Sequence, residues 1–144
     1  MGQLASGAFD GSGAGVFPGG NERRTVTGTY SFAVHTGGTG SYAIASIPNG
    51  SRVVGGWVEV VGTPTAVSGT PTIAVQVEAA NDLITAASIL GAPWSTVGKK
   101  AITPKVNTPE TNSILLTADR NVTVAIASAA ISTGIITVTL DVIG

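Results

Sequence analysis

From residue 25 to the C-terminus, apolar and polar residues alternate in short runs separated by Gly, Pro, Asn and Asp, the period-two signature of strands half buried in a sheet. In TYSFAVHT, Tyr30, Phe32 and Val34 fall on one face and Ser31, Ala33 and His35 on the other. The turn GGTG leads into the strand SYAIASI, and Pro48 to Ser51 form the next turn. RVVGGWVEVV reads as a longer strand, with Trp57 in the core and Gly55-Gly56 marking a bulge or a close backbone approach. After the loop GTPTAVSGTP, Pro71 can open the strand TIAVQVEA, where Ile73, Val75 and Val77 alternate with Ala74, Gln76 and Glu78.

The period then changes. In NDLITAASILGAP, Asn81 or Asp82 can cap a helix, Leu83, Ala86, Ala87 and Leu90 recur at helical spacing, and Gly91 and Pro93 stop it. A single short helix or irregular crossover is expected there. Strands resume with SILLTA, then, after the turn-like ADRN around Arg120, with NVTVAIA (Val122, Val124 and Ile126 inward) and GIITVTLDVIG (Ile136, Val138, Leu140 and Val142 inward). About seven strands, one short helical crossover and closely spaced turns predict an all-β protein, a β-sandwich of jelly-roll or Greek-key type. No repeat of solenoid or propeller period is present.

Residues 1–24 break this pattern. The first 20 hold seven glycines, with Leu4, Phe9, Val16 and Phe17 at no strand or helix period. They read as an extended Gly-rich arm, either loose or ordered by lying on another subunit, ahead of a sandwich domain at 25–144. A chain of 144 residues suffices for one such domain.

Composition narrows the function. Only 10% of residues are charged and the net charge is -1, so there is no basic field for nucleic acid and no acidic tail. Cysteine is absent, which removes disulfides, thiolate catalysis and cysteine-bound metals. The N-terminus lacks a charged region followed by an apolar run, so neither a secretory signal nor a membrane span is expected. MGQLAS fits the short myristoylation pattern, which a glycine-rich arm can meet by coincidence. The sequons at Asn49 and Asn121 carry no meaning without secretion.

GAPWSTVGKK is the stretch closest to a chemical motif. A phosphate loop needs Gly five positions before the Gly that precedes its Lys, and Ser or Thr after that Lys. Pro93 stands where that glycine should be, and Lys100 follows Gly98-Lys99. Proline has no N–H to give a phosphate. His35 is the sole histidine, placed on the polar face of its strand, and no G-x-S-x-G surrounds a serine. The eight carboxylates are scattered singly, without a calcium-loop spacing. The chain is therefore expected to be no enzyme and to need no cofactor or metal. Trp94, beside Pro93, either folds back into the core or serves as a contact anchor. Lys99, Lys100 and Lys105 are expected to form a small positive loop.

IPNGSRVVGGWVEVV, TIAVQVEAANDLITAASILGAPWSTVGKKAITP and ADRNVTVAIASAAISTGIITVTLDVIG together resemble a family of small structural proteins of tailed bacteriophages. The likeness spans about residues 28 to 144; the arm is less characteristic. It implies a capsid decoration (cement) or head-associated protein, made in the host cytoplasm and bound to the outside of the virion head. Such proteins commonly sit as trimers at local threefold positions. The implied partners are the major capsid protein and further copies of the chain, with no nucleic acid and no membrane. Candidate contacts are Leu4, Phe9, Val16, Phe17, Trp94, Lys99, Lys100 and Lys105. The alternatives are a carbohydrate-binding or receptor-contacting module, with Trp94 or Tyr42 stacking on sugar, and a minor tail or fibre component.

Overall fold

The computed structural model describes residues 23–104 and 113–144. Nine strands and one four-residue helix are seen among them: β1 (Arg23–Ser31), α1 (Phe32–His35), β2 (Gly40–Ile47), β3 (Arg52–Thr65), β4 (Thr72–Gln76), β5 (Ile84–Ser88), β6 (Gly98–Ala101), β7 (Ile114–Leu115), β8 (Arg120–Ala127) and β9 (Thr133–Ile143). They build two antiparallel sheets, ordered β1-β9-β3-β6, with β7 also on β3, and β2-β8-β4-β5. The chain is an all-β sandwich, and most connections cross from one sheet to the other.

β-Branched residues fill the inward positions because their stiff side chains suit a pleated, half-buried surface. Val58 and Val60 of β3, Ile73 and Val75 of β4, Val122, Val124 and Ile126 of β8, and Ile136, Val138, Leu140 and Val142 of β9 are all buried in one core. Each was expected inward from alternation, except that Val58 and Val60 replace Trp57 as the core face of β3. Trp57 is half-buried on the outer face, where Lys99 Nζ lies 5.6 Å from its ring centroid.

The glycine pair in β3 marks a bulge, since the β3–β9 register shifts between Val53 and Gly55. Gly56 adopts φ +144°, and a Cβ there would lie 2.1 Å from the Thr139 carbonyl oxygen. Only glycine fits. At the sandwich edge, a Cβ on Gly28 would lie 2.3 Å from the Ile44 carbonyl oxygen, so β1 and β2 meet backbone to backbone across the two sheets.

Three expectations are corrected. The helix expected over NDLITAASILGAP is absent: Ile84–Ser88 is a strand paired with β4. The Asp82 carboxylate accepts amides behind it, from Val77 (2.9 Å), Glu78 (2.9 Å) and Ala79 (2.8 Å), closing the β4–β5 turn. The short helix lies instead at Phe32–His35, where alternation predicted more strand. There the chain has reached the end of the sheet, leaving Phe32 and Val34 exposed. Arg23 and Arg24, assigned by sequence to the arm, already pair with Ile143 and Val142 of β9.

Candidate docking surface

The residues singled out for chemistry or contact go to separate places. Trp94 is fully buried, and its Nε1–H donates to the Ile73 carbonyl at 3.0 Å. A turn holds it there, with Trp94 N donating to Gly91 O at 3.1 Å, next to a cis Ala92–Pro93 peptide. It is core, and no surface is left for a partner or a sugar ring. Lys99 and Lys100 lie in β6 rather than in a loop, Lys99 standing opposite Glu59, and the Lys100 ammonium donates to the Thr96 carbonyl. β6 ends its sheet, and lysine on an edge strand hinders pairing with another chain. This explains the two lysines without a ligand. Leu4, Phe9, Val16, Phe17 and Lys105 lie outside the described residues.

Tyr42 and His35 belong to one aromatic cluster. The His35 ring stacks on Tyr30 at 5.4 Å, Tyr42 meets Tyr30 at 5.5 Å, and His35 Nδ1 accepts the Ser31 amide at 3.2 Å. Tyr42 Oη donates to Gly38 O at 2.6 Å, and Tyr30 Oη to Thr36 O. Burial, aided by the neighbouring Tyr42, pushes the Tyr30 phenol up to about 12. His35 is thus a half-buried packing residue rather than a solvated strand residue. Tyr42 is committed to the loop that follows β1, so both aromatics of the carbohydrate alternative are occupied. Among the described residues no three His, Asp or Glu side chains gather as metal ligands would.

What the fold does bring together is sorted by the two ends of the sandwich. At the base lie Arg23, Arg52, Arg120 and the β4–β5 turn, with most of the charge. Glu78 Oε1 accepts Arg120 Nε at 2.9 Å and Oε2 accepts Thr117 Oγ1 at 2.5 Å. Arg120, then Thr117, hold the Glu78 carboxyl below the usual carboxylate range. Arg24 donates to Gly144 O at 2.8 Å, Arg52 to Ser113 Oγ at 2.8 Å, and Asp119 accepts the Asn49 amide at 2.8 Å.

The opposite end, which we term the crown, is formed by segments 32–39, 66–71, 89–97 and 128–132. None of them contains Asp, Glu, Lys or Arg. They are tied to one another through the backbone: Ile131 N donates to Gly37 O at 2.9 Å, Ser132 N to Thr65 O at 2.7 Å, and Ile89 N to Pro71 O at 3.2 Å. On this pinned frame Val67 is 91% exposed, Leu90 76%, Val34 75% and Val97 65%. Phe32, and Val61 and Ile135 at the adjoining strand ends, extend the patch. Of the large hydrophobics exposed among the described residues, only Leu115 lies at the base. Scattered exposed hydrophobics are ordinary on a protein surface; here most of them gather at one uncharged end.

Sequence reasoning missed the crown because it weighed motifs and strands, whereas these residues are distant in sequence. The available signal was the lack of charge in every loop at this end. Away from the crown, the outer face of the β1–β9 pair is polar: Thr27 and Thr29 on β1 meet Thr139 and Thr137 on β9 at Oγ1 distances of 3.4 and 3.1 Å.

No protein-family model matches the chain, and no curated protein matches it in sequence. Solved structures do match in fold. A chain of the cyanophage Pam1 capsid asymmetric unit is similar with TM-score 0.63 and 19% identity, covering 92% of this chain and 91% of that one. A chain of the acid-stable capsid of Helicobacter pylori bacteriophage KHP30 gives 0.60 and 16%, covering 87% and 90%. A chain of the capsid of Ralstonia phage GP4 gives 0.63 and 13%, covering 89% and 88%.

Proposed function

We propose that the protein is a non-enzymatic structural component of a bacteriophage head that binds the outside of the capsid as a trimer and stabilises its lattice. The observation that carries this reading is the likeness in fold to chains of three phage capsids, over about nine tenths of each chain compared. Two further observations support it. The strand orders β1-β9-β3-β6 and β2-β8-β4-β5 favour a jelly-roll reading of the sandwich, an architecture used in viral capsids among other roles. The gathering of exposed apolar residues at one uncharged end of the sandwich is what a contact surface would need.

Decoration works by mass action: a protein that binds only the assembled lattice stabilises it by RT ln(1 + [L]/Kd). The arm anchors Leu4, Phe9, Val16 and Phe17 are proposed to lie along the major capsid protein or a neighbouring copy. The test is proteomic and structural analysis of purified virions of the phage that encodes the chain, with occupancy compared for the full chain and a variant lacking residues 2–20. The full chain is expected in many copies on the head exterior, and the deletion is expected to lower occupancy while leaving the circular dichroism spectrum of the sandwich intact. Absence from purified virions would overturn the reading, and undiminished occupancy of the deletion variant would remove the arm from it.

A further inference from the structure

We infer that the crown is a self-association surface, through which three copies meet around a common axis in solution with their bases pointing outward. The number three rests on the trimeric head protein proposed above; the choice of surface does not.

Three observations select a second copy as the occupant. First, the crown segments carry no charged residue, so bringing identical crowns together buries no ion and sets no like charges against each other. The base, with Arg23, Arg52 and Arg120 beside Glu78, Asp82 and Asp119, would require ionic groups to be desolvated or paired. Second, apart from His35, whose ring stacks on Tyr30 and accepts the Ser31 amide, the polar side chains among the apolar crown residues are hydroxyls, including Thr36, Thr39, Ser68, Thr70 and Ser95. A hydroxyl both donates and accepts, so a hydroxyl-bearing surface can hydrogen-bond to its own copy, which a surface of carboxylates or ammoniums cannot. The loops are also fixed to each other by the Gly37–Ile131, Thr65–Ser132 and Pro71–Ile89 hydrogen bonds, which lowers the ordering cost of association.

Third, the chain outside the described residues joins the sandwich away from the crown. Residues 1–22 connect at Arg23, which pairs with Ile143 at the base, and residues 105–112 connect just before β7, which pairs with Arg52 and Val53 there. The nine residues of β1 set the two ends roughly 30 Å apart at about 3.4 Å per residue. Crown-to-crown assembly would start three arms well away from the axis, each able to reach a different neighbour on a lattice. A contact repeated around a rotation axis closes on itself and does not propagate into a fibre.

Solution mass by light scattering after size exclusion tests this without any phage particle. The wild-type chain is expected at three times its 14.2 kDa. Val34→Asp and Val67→Asp, singly and together, place a carboxylate at the 75% and 91% exposed positions, and the double variant is expected at one chain mass with an unchanged circular dichroism spectrum. Leu115→Asp at the base and deletion of residues 2–20 are expected to keep the threefold mass. A monomeric wild type, a crown double variant of wild-type mass, or a monomer produced by the deletion alone overturns the inference; the last would make the arm the occupant. A trimer absent from virions would sink the head reading and leave the crown inference standing, and a crown-independent assembly present on virions would do the reverse.

Discussion

Replacing each tryptophan with alanine separates the two roles that the fold gives them. Trp94 is fully buried and donates its indole N–H to the Ile73 carbonyl. Its removal opens a large cavity and leaves a buried acceptor short of a partner, a loss of about 3–5 kcal/mol. Trp57 is half-buried on the outer face, with Lys99 5.6 Å from its ring centroid. That contact is worth about 0.5–1 kcal/mol at an exposed site, and with the modest area lost the total is about 1 kcal/mol. A domain of roughly 120 residues has an unfolding entropy of about 0.25 kcal/mol/K near its midpoint. Trp94→Ala should therefore lower Tm by about 12–20 °C and Trp57→Ala by about 4 °C. Calorimetry at one fixed protein concentration reads both, since association shifts Tm by mass action. The emission of Trp94, isolated in Trp57→Phe, should also be the bluer of the two. Equal losses, or the larger loss at Trp57, would refute the assignment of core and surface.

Glycine conformation and the base network offer two more tests. Gly56→Ala combines φ +144° with a Cβ placed 2.1 Å from Thr139 O, so it should cost at least about 3 kcal/mol; Gly50→Ala has φ +86° with nothing within 4 Å and should cost only about 1 kcal/mol. Matching denaturation midpoints for the two variants would show that the approach of β3 to β9 is not as described. Glu78 is held below its ordinary 4.5 by Arg120 and Thr117, so its stabilisation is present above that value and is lost as pH falls through the lower folded-state value. Wild type should lose stability faster than Glu78→Gln below about pH 4.5, and parallel acid profiles would remove the carboxylate from the account.

Legibility followed the length scale of each cause. Alternation in β4, β8 and β9 was readable because a strand buried on one face repeats its inward set every second residue, and Val75, Val124 and Val138 fall where that period puts them. The segment Asn81–Leu90 misled because an acidic side chain that can cap a helix is chemically the same as one that closes a turn. Asp82 captures the amides of residues 77–79, and Leu83 N donates to Val75 O at 3.2 Å, so pairing with β4 overrides the helical spacing. Alternation through Phe32 and Val34 gave no warning that the strand stops at Ser31. Past the short helix the chain is held by a distant segment: Thr36 takes φ 65°, and a Cβ on Gly37 would lie 2.0 Å from the Ile131 carbonyl oxygen.

By itself the sequence determined the class of fold, the inward faces of β4, β8 and β9, the need for glycine within β3, and the lack of motifs for familiar chemistries. These depend on local period and composition, which a chain carries before it folds. Tertiary structure alone decided which tryptophan is core, since the strand position of Trp57 and the turn position of Trp94 do not fix what packs over either ring. It also decided that the lysines guard a sheet edge and that four uncharged loops, up to about 100 residues apart in the chain, form one apolar end. An edge or a patch is made by strands that become neighbours through sheet pairing, so no window along the chain contains it.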